Sequence, residues 1–384
     1  MKRSTLLLTL GVIFLSFGYT TEGGDGVSKM PLSGDLLVRT VPGVEIGLYD
    51  ISDPTDVREV GSMKIEGNND IATSGDYLYA DAGRDLAVFD IANPASPMQI
   101  NAVVGVFDHA ILPGGIGSAP ATAADRRVRG DEVGGMSGCG SGCNTDGRMQ
   151  ATGTRGGGGG GASGASGAGT GGSLARFIVI DRYLYAVDGN SIKVFDITNP
   201  ESPEEIGVTE IEGGLETVYA SGDYLFVGGR SGMYIYSIDN PTQPEPISQF
   251  VHAESCDPVV VDGDRAYVTL RGGTRCGGDR NQLDIIDISD ITNPTLIKSI
   301  EMTGPYGLAA RDGIVMVCDG EAGLKVLRTE GTAGATRCDG LSGLTAFDVI
   351  WDDDLAVVTA QEGFWLYNAS NPCELTRHGE LQFD

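Results

Sequence analysis

Histidine is nearly absent from this chain. It occurs only at His109, His252 and His378, too few for an imidazole-built zinc or copper centre. A Ser-His-Asp arrangement would need one of them beside a positioned serine, and no Gly-x-Ser-x-Gly elbow accompanies any. Basic residues are also scarce: 26 Lys and Arg stand against 53 Asp and Glu, for a net charge of −27. Such a surface repels phosphate backbones and anionic membrane faces, so nucleic-acid binding is excluded. The glycine tract Gly156 to Gly161 is not followed by Gly-Lys-Ser/Thr, so it is no phosphate loop. There is no Asp-x-Asp-x-Asp-Gly calcium loop. Two carboxylates would suffice for glycoside hydrolysis, but in so acidic a chain their abundance is no evidence for it. Apolar residues at helical spacing are missing as well.

What is present is a recurring phrase: an aromatic residue, Asp-Ile, two residues ending on Asn or Asp, then Pro. It reads Tyr49-Asp50-Ile51-Ser52-Asp53-Pro54, Phe89-Asp90-Ile91-Ala92-Asn93-Pro94 and Phe195-Asp196-Ile197-Thr198-Asn199-Pro200. Degenerate copies end at Pro241, Pro294 and Pro372. The steps between these prolines are 40, 106, 41, 53 and 78 residues. With a unit near 40, the 106 is one unit plus an insertion, the 53 a slightly enlarged unit, and the 78 two units with one marker lost. Seven units result, a period typical of propeller blades or helical arrays.

Short alternating runs decide between those two. Tyr77-Leu78-Tyr79-Ala80 and Leu86-Ala87-Val88-Phe89 alternate in period two and are rich in β-forming residues. Proline cannot sit in a central strand, so the Asn-Pro step marks a turn into an edge strand. The second unit therefore predicts four strands, at Ile71 to Ser74, Tyr77 to Ala80, Leu86 to Ile91 and Met98 to Val104. The expected fold is all-β, a seven-bladed propeller of four-stranded antiparallel blades. The last strand, from Glu374 to Phe383, should complete blade seven, and residues near Ser28 to Leu32 should start blade one.

On these residues the chain resembles the LVIVD-repeat proteins, whose units read Gly-Asp-Tyr-Leu-Tyr-Val-Ala, Leu-x-Val-x-Asp-Ile and Asn-Pro. Gly75 to Ala80 with Val88 to Pro94, Asp181 to Ala186 with Val194 to Pro200, and Gly222 to Val227 with Tyr234 to Pro241 carry the match. The first, sixth and seventh units match less well. The resemblance implies a bacterial or archaeal secreted or surface protein, in a family mostly without an assigned activity.

Lys2 and Arg3 precede an apolar stretch from Leu6 to Phe17, too short to span a bilayer comfortably and suited to a secretory signal over residues 1–21. Export to the cell envelope or medium is expected, with no membrane span in the mature chain. Propeller blades are expected over 30–106 and 175–384. Between them residues 107–174 form a glycine-rich insertion too poor in apolar residues to order most of its length. Seven cysteines in an exported chain imply disulfides and one thiol left over. Cys256 with Cys276 is the strongest pair, because connections from the fourth strand to the next first strand, and from second to third strand, emerge on one propeller face. Cys139 and Cys143 could close a small ring. Cys318, Cys338 and Cys373 are left unpaired, with Cys318 read as a buried structural thiol.

Both long insertions fall on that same face, where loops on a rigid scaffold can carry function. The residues just before each first strand should crowd the mouth of the central channel there: Asn69 and Asp70, Arg176, Glu216, Asp257, Tyr306, and Phe347 with Asp348. Such a ring could receive a cation, a sugar or a peptide, or consist of ordinary turn and capping groups. The preferred reading is a monomeric, non-catalytic module binding a protein or glycan partner. The alternative is a propeller enzyme of hydrolase or lyase type with a carboxylate-lined site, calcium being the cofactor it could take.

Overall fold

The computed structural model describes residues 29–107, 172–252, 258–273, 278–329 and 334–383, together with the backbone of 111–112 and 115–116. Among these residues there is no helix, and the strands form antiparallel sheets read in chain order. The second unit has strands Ile71–Ser74, Tyr77–Ala82, Asp85–Asp90 and Met98–Val103, within two residues of the sequence expectation. Five sheets have four strands, and one has six. In the six-stranded sheet, two long strands each serve twice. Tyr183–Asp196 pairs with Phe177–Ile180 through its first residues and with Glu204–Ser221 through its later ones, and Glu204–Ser221 in turn continues to Tyr224–Gly229. The count of seven blades is the reading in which this sheet supplies two. The chain is a β-propeller. Its first strands face one another around an axis and its fourth strands lie outermost, as their exposed side chains show.

The recurring phrase folds as one device. Four third strands close on an aspartate that caps the turn with its own side chain: Asp50, Asp90, Asp196 and Asp287 each accept from the backbone N–H two residues on, at 2.8–2.9 Å. The next residue, isoleucine, donates its N–H to the turn joining first and second strands, as from Ile51 to Asp35 and Ile91 to Asp76. Its side chain is buried. The Asn or Asp at the Pro step then accepts from the residue three on. In the fifth unit Asp290 makes this bond, to Asn293 N–H. The position equivalent to proline is therefore Ile291, and Pro294 lies three residues past it.

Seven consecutive pairs of third and fourth strands carry a β-bulge at the same place, just after the residue facing Gly61, Asn101, Gly207, Ser248, Lys298, Asp339 or Gly379. Six of these fourth-strand positions, all but Lys298, have a shared role, because the marker turn of the following unit seats on them. Asn101 Nδ2 donates to Glu201 O at 2.7 Å, and Ser248 Oγ to Ile291 O at 2.5 Å. Asp339 Oδ2 accepts from Leu375 N–H at 2.7 Å. At Gly61, Gly207 and Gly379 the turn comes closer still. A methyl at any of them would overlap the carbonyl oxygen of Pro94, Thr242 or Pro54 respectively. Residues 330–333, between the sixth unit's third and fourth strands, lie outside the described residues.

Between sheets the core is continuous apolar packing, as where Val38, Ile46 and Leu48 meet Ile71, Leu78 and Phe89. The same packing joins the first unit to the last: Met30, Leu37 and Tyr49 pack with Ile350, Val357 and Phe364, flanked by Leu381 and Phe383. The Arg39 guanidinium lies 3.6 Å over the Phe383 ring. The final strand, Thr376–Gln382, pairs with Gly363–Asn368, and residues from Lys29 to Ser33 open the first sheet.

Candidate functional site at the axis mouth

The lead into each first strand ends at the axis, and there the expected ring contracts into a buried charge cluster. Asp70 is fully buried. Its Oδ2 accepts from Lys29 Nζ and from the backbone N–H of Arg176, both at 2.6 Å, and its Oδ1 from Ile71 N–H at 2.9 Å. Burial pulls the Lys29 ammonium below its usual range, with the Asp70 charge opposing that pull. Behind Asp70, Asp81 Oδ1 accepts from Asn69 N–H, Asp70 N–H and Asn68 Nδ2 at 2.7–3.0 Å. Those donors favour the carboxylate, but desolvation is the larger influence and moves its pKa up to about 7.

Arg176 is 5 % exposed; its Nε donates to Glu216 O at 3.1 Å, while its Nη1 has no partner. Asp348, 1 % exposed, takes Val349 N–H on Oδ1 at 3.0 Å, and its Oδ2 has no partner. Its carboxylate is wedged between two glycines: a methyl on Gly307 would overlap Oδ1, and one on Gly172 would overlap Oδ2. Burial raises its pKa to about 7, against the pull of Val349 N–H, Lys29 and Ser173. Residues Gly172 to Arg176 thus lie across the mouth. Gly172 abuts Asp348, Ser173 Oγ accepts from Leu308 N–H at 2.8 Å, and Ala175 O accepts from Val218 N–H at 2.8 Å.

Beside this plug the ring is open. Tyr306 and Phe347 are partly exposed and meet edge to face, 5.0 Å between centroids. The Arg271 guanidinium lies 3.8 Å over the Tyr306 ring, and Thr269 Oγ1 fixes the Tyr306 backbone through its carbonyl at 2.7 Å. The Glu216 carboxylate is 3.7 Å from Arg230. Of the expected ring, then, Asp70, Arg176 and Asp348 come together in the buried cluster, whereas Tyr306 and Glu216 sit at its rim. Asp257, Cys256, Cys276, Cys139 and Cys143 lie outside the described residues. Among the described residues no three His, Cys, Asp or Glu side chains converge as a metal site would need, and no helix is long and apolar enough to cross a membrane.

Three features escape a reading of the sequence. Lys29 gives no signal as a channel residue, since it precedes any strand pattern. Arg271 lies beyond a second strand, and only its neighbour's aromatic ring explains it. Cys338 and Cys373 form a disulfide, with Cα atoms 5.2 Å apart. It joins the sixth unit's fourth strand to the seventh unit's marker turn, beside the Asp339 to Leu375 bond. Cys318 is a buried free thiol, its pKa raised by desolvation.

Residues 68–103, 171–210, 213–250 and 255–302 match the LVIVD repeat model. No curated protein sequence matches the chain. Among solved structures, a protein from Lactobacillus plantarum aligns over 93% of this chain and 97% of its own, at 13% identity and TM-score 0.58. The periplasmic gluconolactonase PpgL of Pseudomonas aeruginosa aligns over 92% and 95%, at 11% identity and TM-score 0.56. BamB from Moraxella catarrhalis aligns over 85% and 79%, at 8% identity and TM-score 0.50. At these identities the likeness is one of fold. With these four segments matched in sequence and its sheets arranged as a propeller, the chain carries LVIVD repeats on a propeller fold.

Proposed function

We propose that this protein is an exported, envelope-associated or secreted binding module without catalytic activity. Its partner, a protein or surface glycan, would be gripped on the face where the first-strand leads converge. The observation that carries this reading is the rim cluster of Arg271, Tyr306 and Phe347. Partly exposed aromatic rings with a cation held over one of them are the side chains that dominate recognition sites. The acidic groups beside them are enclosed: Asp70 is bound by Lys29 and by the Arg176 backbone, and Asp348 is covered by Gly172 and Gly307. The apolar stretch near the N-terminus supports export.

The test compares the wild-type protein with a Tyr306→Ala/Phe347→Ala double variant and a Leu296→Ser control on a glycan array and in cross-linking to envelope fractions. Binding lost in the double variant and kept in the control supports the reading; binding indifferent to both overturns it. The alternative, an enzyme of hydrolase or lyase type, has one observation in its favour, the Asp348 carboxyl with a pKa of about 7. It requires the plug to leave. Turnover of a lactone and ester panel that disappears in Asp348→Asn would favour it.

A further inference from the structure

We propose that the Gly172–Arg176 plug is held at the axis mouth by the protonation state of Asp348, so that the mouth closes in mild acid and loosens in mild alkali. The argument is geometric. Asp348 Oδ2 is buried, lies against Gly172 and has no donor. An ionised Asp348 would be a buried charge steadied only by Val349 N–H on Oδ1 and by the nearby Ser173 hydroxyl, with Oδ2 bare, whereas a protonated one is neutral.

The groups that face Asp348 from the elements around it are few. Lys29, on the lead into the first sheet, is the one cation acting directly on it, and that cation is already bound to Asp70. Asp70, before Ile71–Ser74, adds like charge. Ser173 faces it from the plug, and the Cys318 thiol from strand Ile314–Cys318. Arg176 acts on Lys29 and opposes its charge. No group in this set gives the carboxylate a cation of its own. The raised pKa of Asp348, about 7 against an ordinary 3.8, agrees with that geometry.

The sign follows from linkage. With the docked-state pKa raised and the open-state pKa ordinary, docking is strongest below about pH 4. It weakens as pH rises through about 7 and is level above that.

Hydrogen exchange of the full chain tests this, because the plug has its own reporters: the N–H groups of Arg176, Val218 and Leu308. After correction for intrinsic rates, their protection should fall by roughly tenfold per pH unit between pH 5 and 7. Amides of the third strands, such as that of Leu366, should not follow. In Asp348→Asn the three amides should keep at pH 8 the protection that wild type shows at pH 5. In Gly172→Ala they should lose it at every pH, since the new methyl would overlap Asp348 Oδ2. Protection independent of pH in the wild type overturns the proposal, and that measurement stands even if Asp348→Asn fails to fold. A pH dependence that survives unchanged in a folded Asp348→Asn protein overturns it equally.

Discussion

The outer belt of the propeller and its axis are built on opposite terms. On the belt one device repeats, a marker turn that seats on the bulged strand of the preceding unit. At the axis the groups are not repeated around the ring: Lys29, Asp70, Arg176, Glu216, Tyr306 and Asp348 come from different units, and only Asp70 and Asp348 are alike. Repetition there would place like charges together around one line, which burial would penalise heavily. The belt is therefore where the fold is specified, and the axis is where this chain differs from its own repeats.

Cutting the belt where it closes should have the largest effect. Deleting 376–384 removes the last strand, the Gly379 seat and Phe383, so cooperative thermal unfolding should be lost; an unchanged melting temperature would refute the closure described above. A milder cut is Gly379→Val, whose side chain would overlap Pro54 O. It should cost about 3 kcal/mol or more by overpacking. Gly75→Ala, at φ +56° with open space around it, should cost only about 1 kcal/mol. Denaturant titration of the two variants separates seat from turn.

Cys338→Ser opens a link between residues 35 apart in sequence. It should lower stability by about 2–4 kcal/mol under oxidising conditions and by little in reductant. At the axis the expected effect is smaller and depends on pH. Asp348→Asn should raise the unfolding free energy at pH 8 by an amount on the order of 2 kcal/mol, and change it little at pH 4, because the wild-type group is most stabilising when protonated. The smallest effect belongs to a single belt cap. Asp50, exposed and held below the usual carboxylate range by its bonds to Ser52, should lend stability above its unfolded pKa and lose it as pH falls. Asp50→Ala should accordingly shift the melting curve slightly at pH 7 and not at pH 3.

How much could be read in advance follows the same division. The strands of the second unit and the turn phrase are local: an alternating run and a proline step carry their conformation with them. The Pro294 marker misled because proline is favoured at that turn position and not required there, and Ile291 fills it with the same backbone bonds. The Cys338–Cys373 bridge depends on knowing that a marker turn rests on the strand before it. Once that is known, a cysteine beside Asp339 and another after Pro372 are natural partners. Asp70 and Asp348 were placed at the mouth by repeat alignment alone. That both would be buried, and that Lys29 would join them, depends on chain segments far apart in sequence.

The direction in which the turns dock has a consequence for how such a ring can change over generations. Each unit carries, at its own third-to-fourth strand junction, the piece that fits the unit before it. A copied stretch of about 40 residues would thus arrive already equipped to join whatever precedes it, and would offer the next unit a familiar surface. Lineages could lengthen or shorten the ring by duplication without inventing a new joint, and only the unrepeated side chains at the centre would have to be renegotiated.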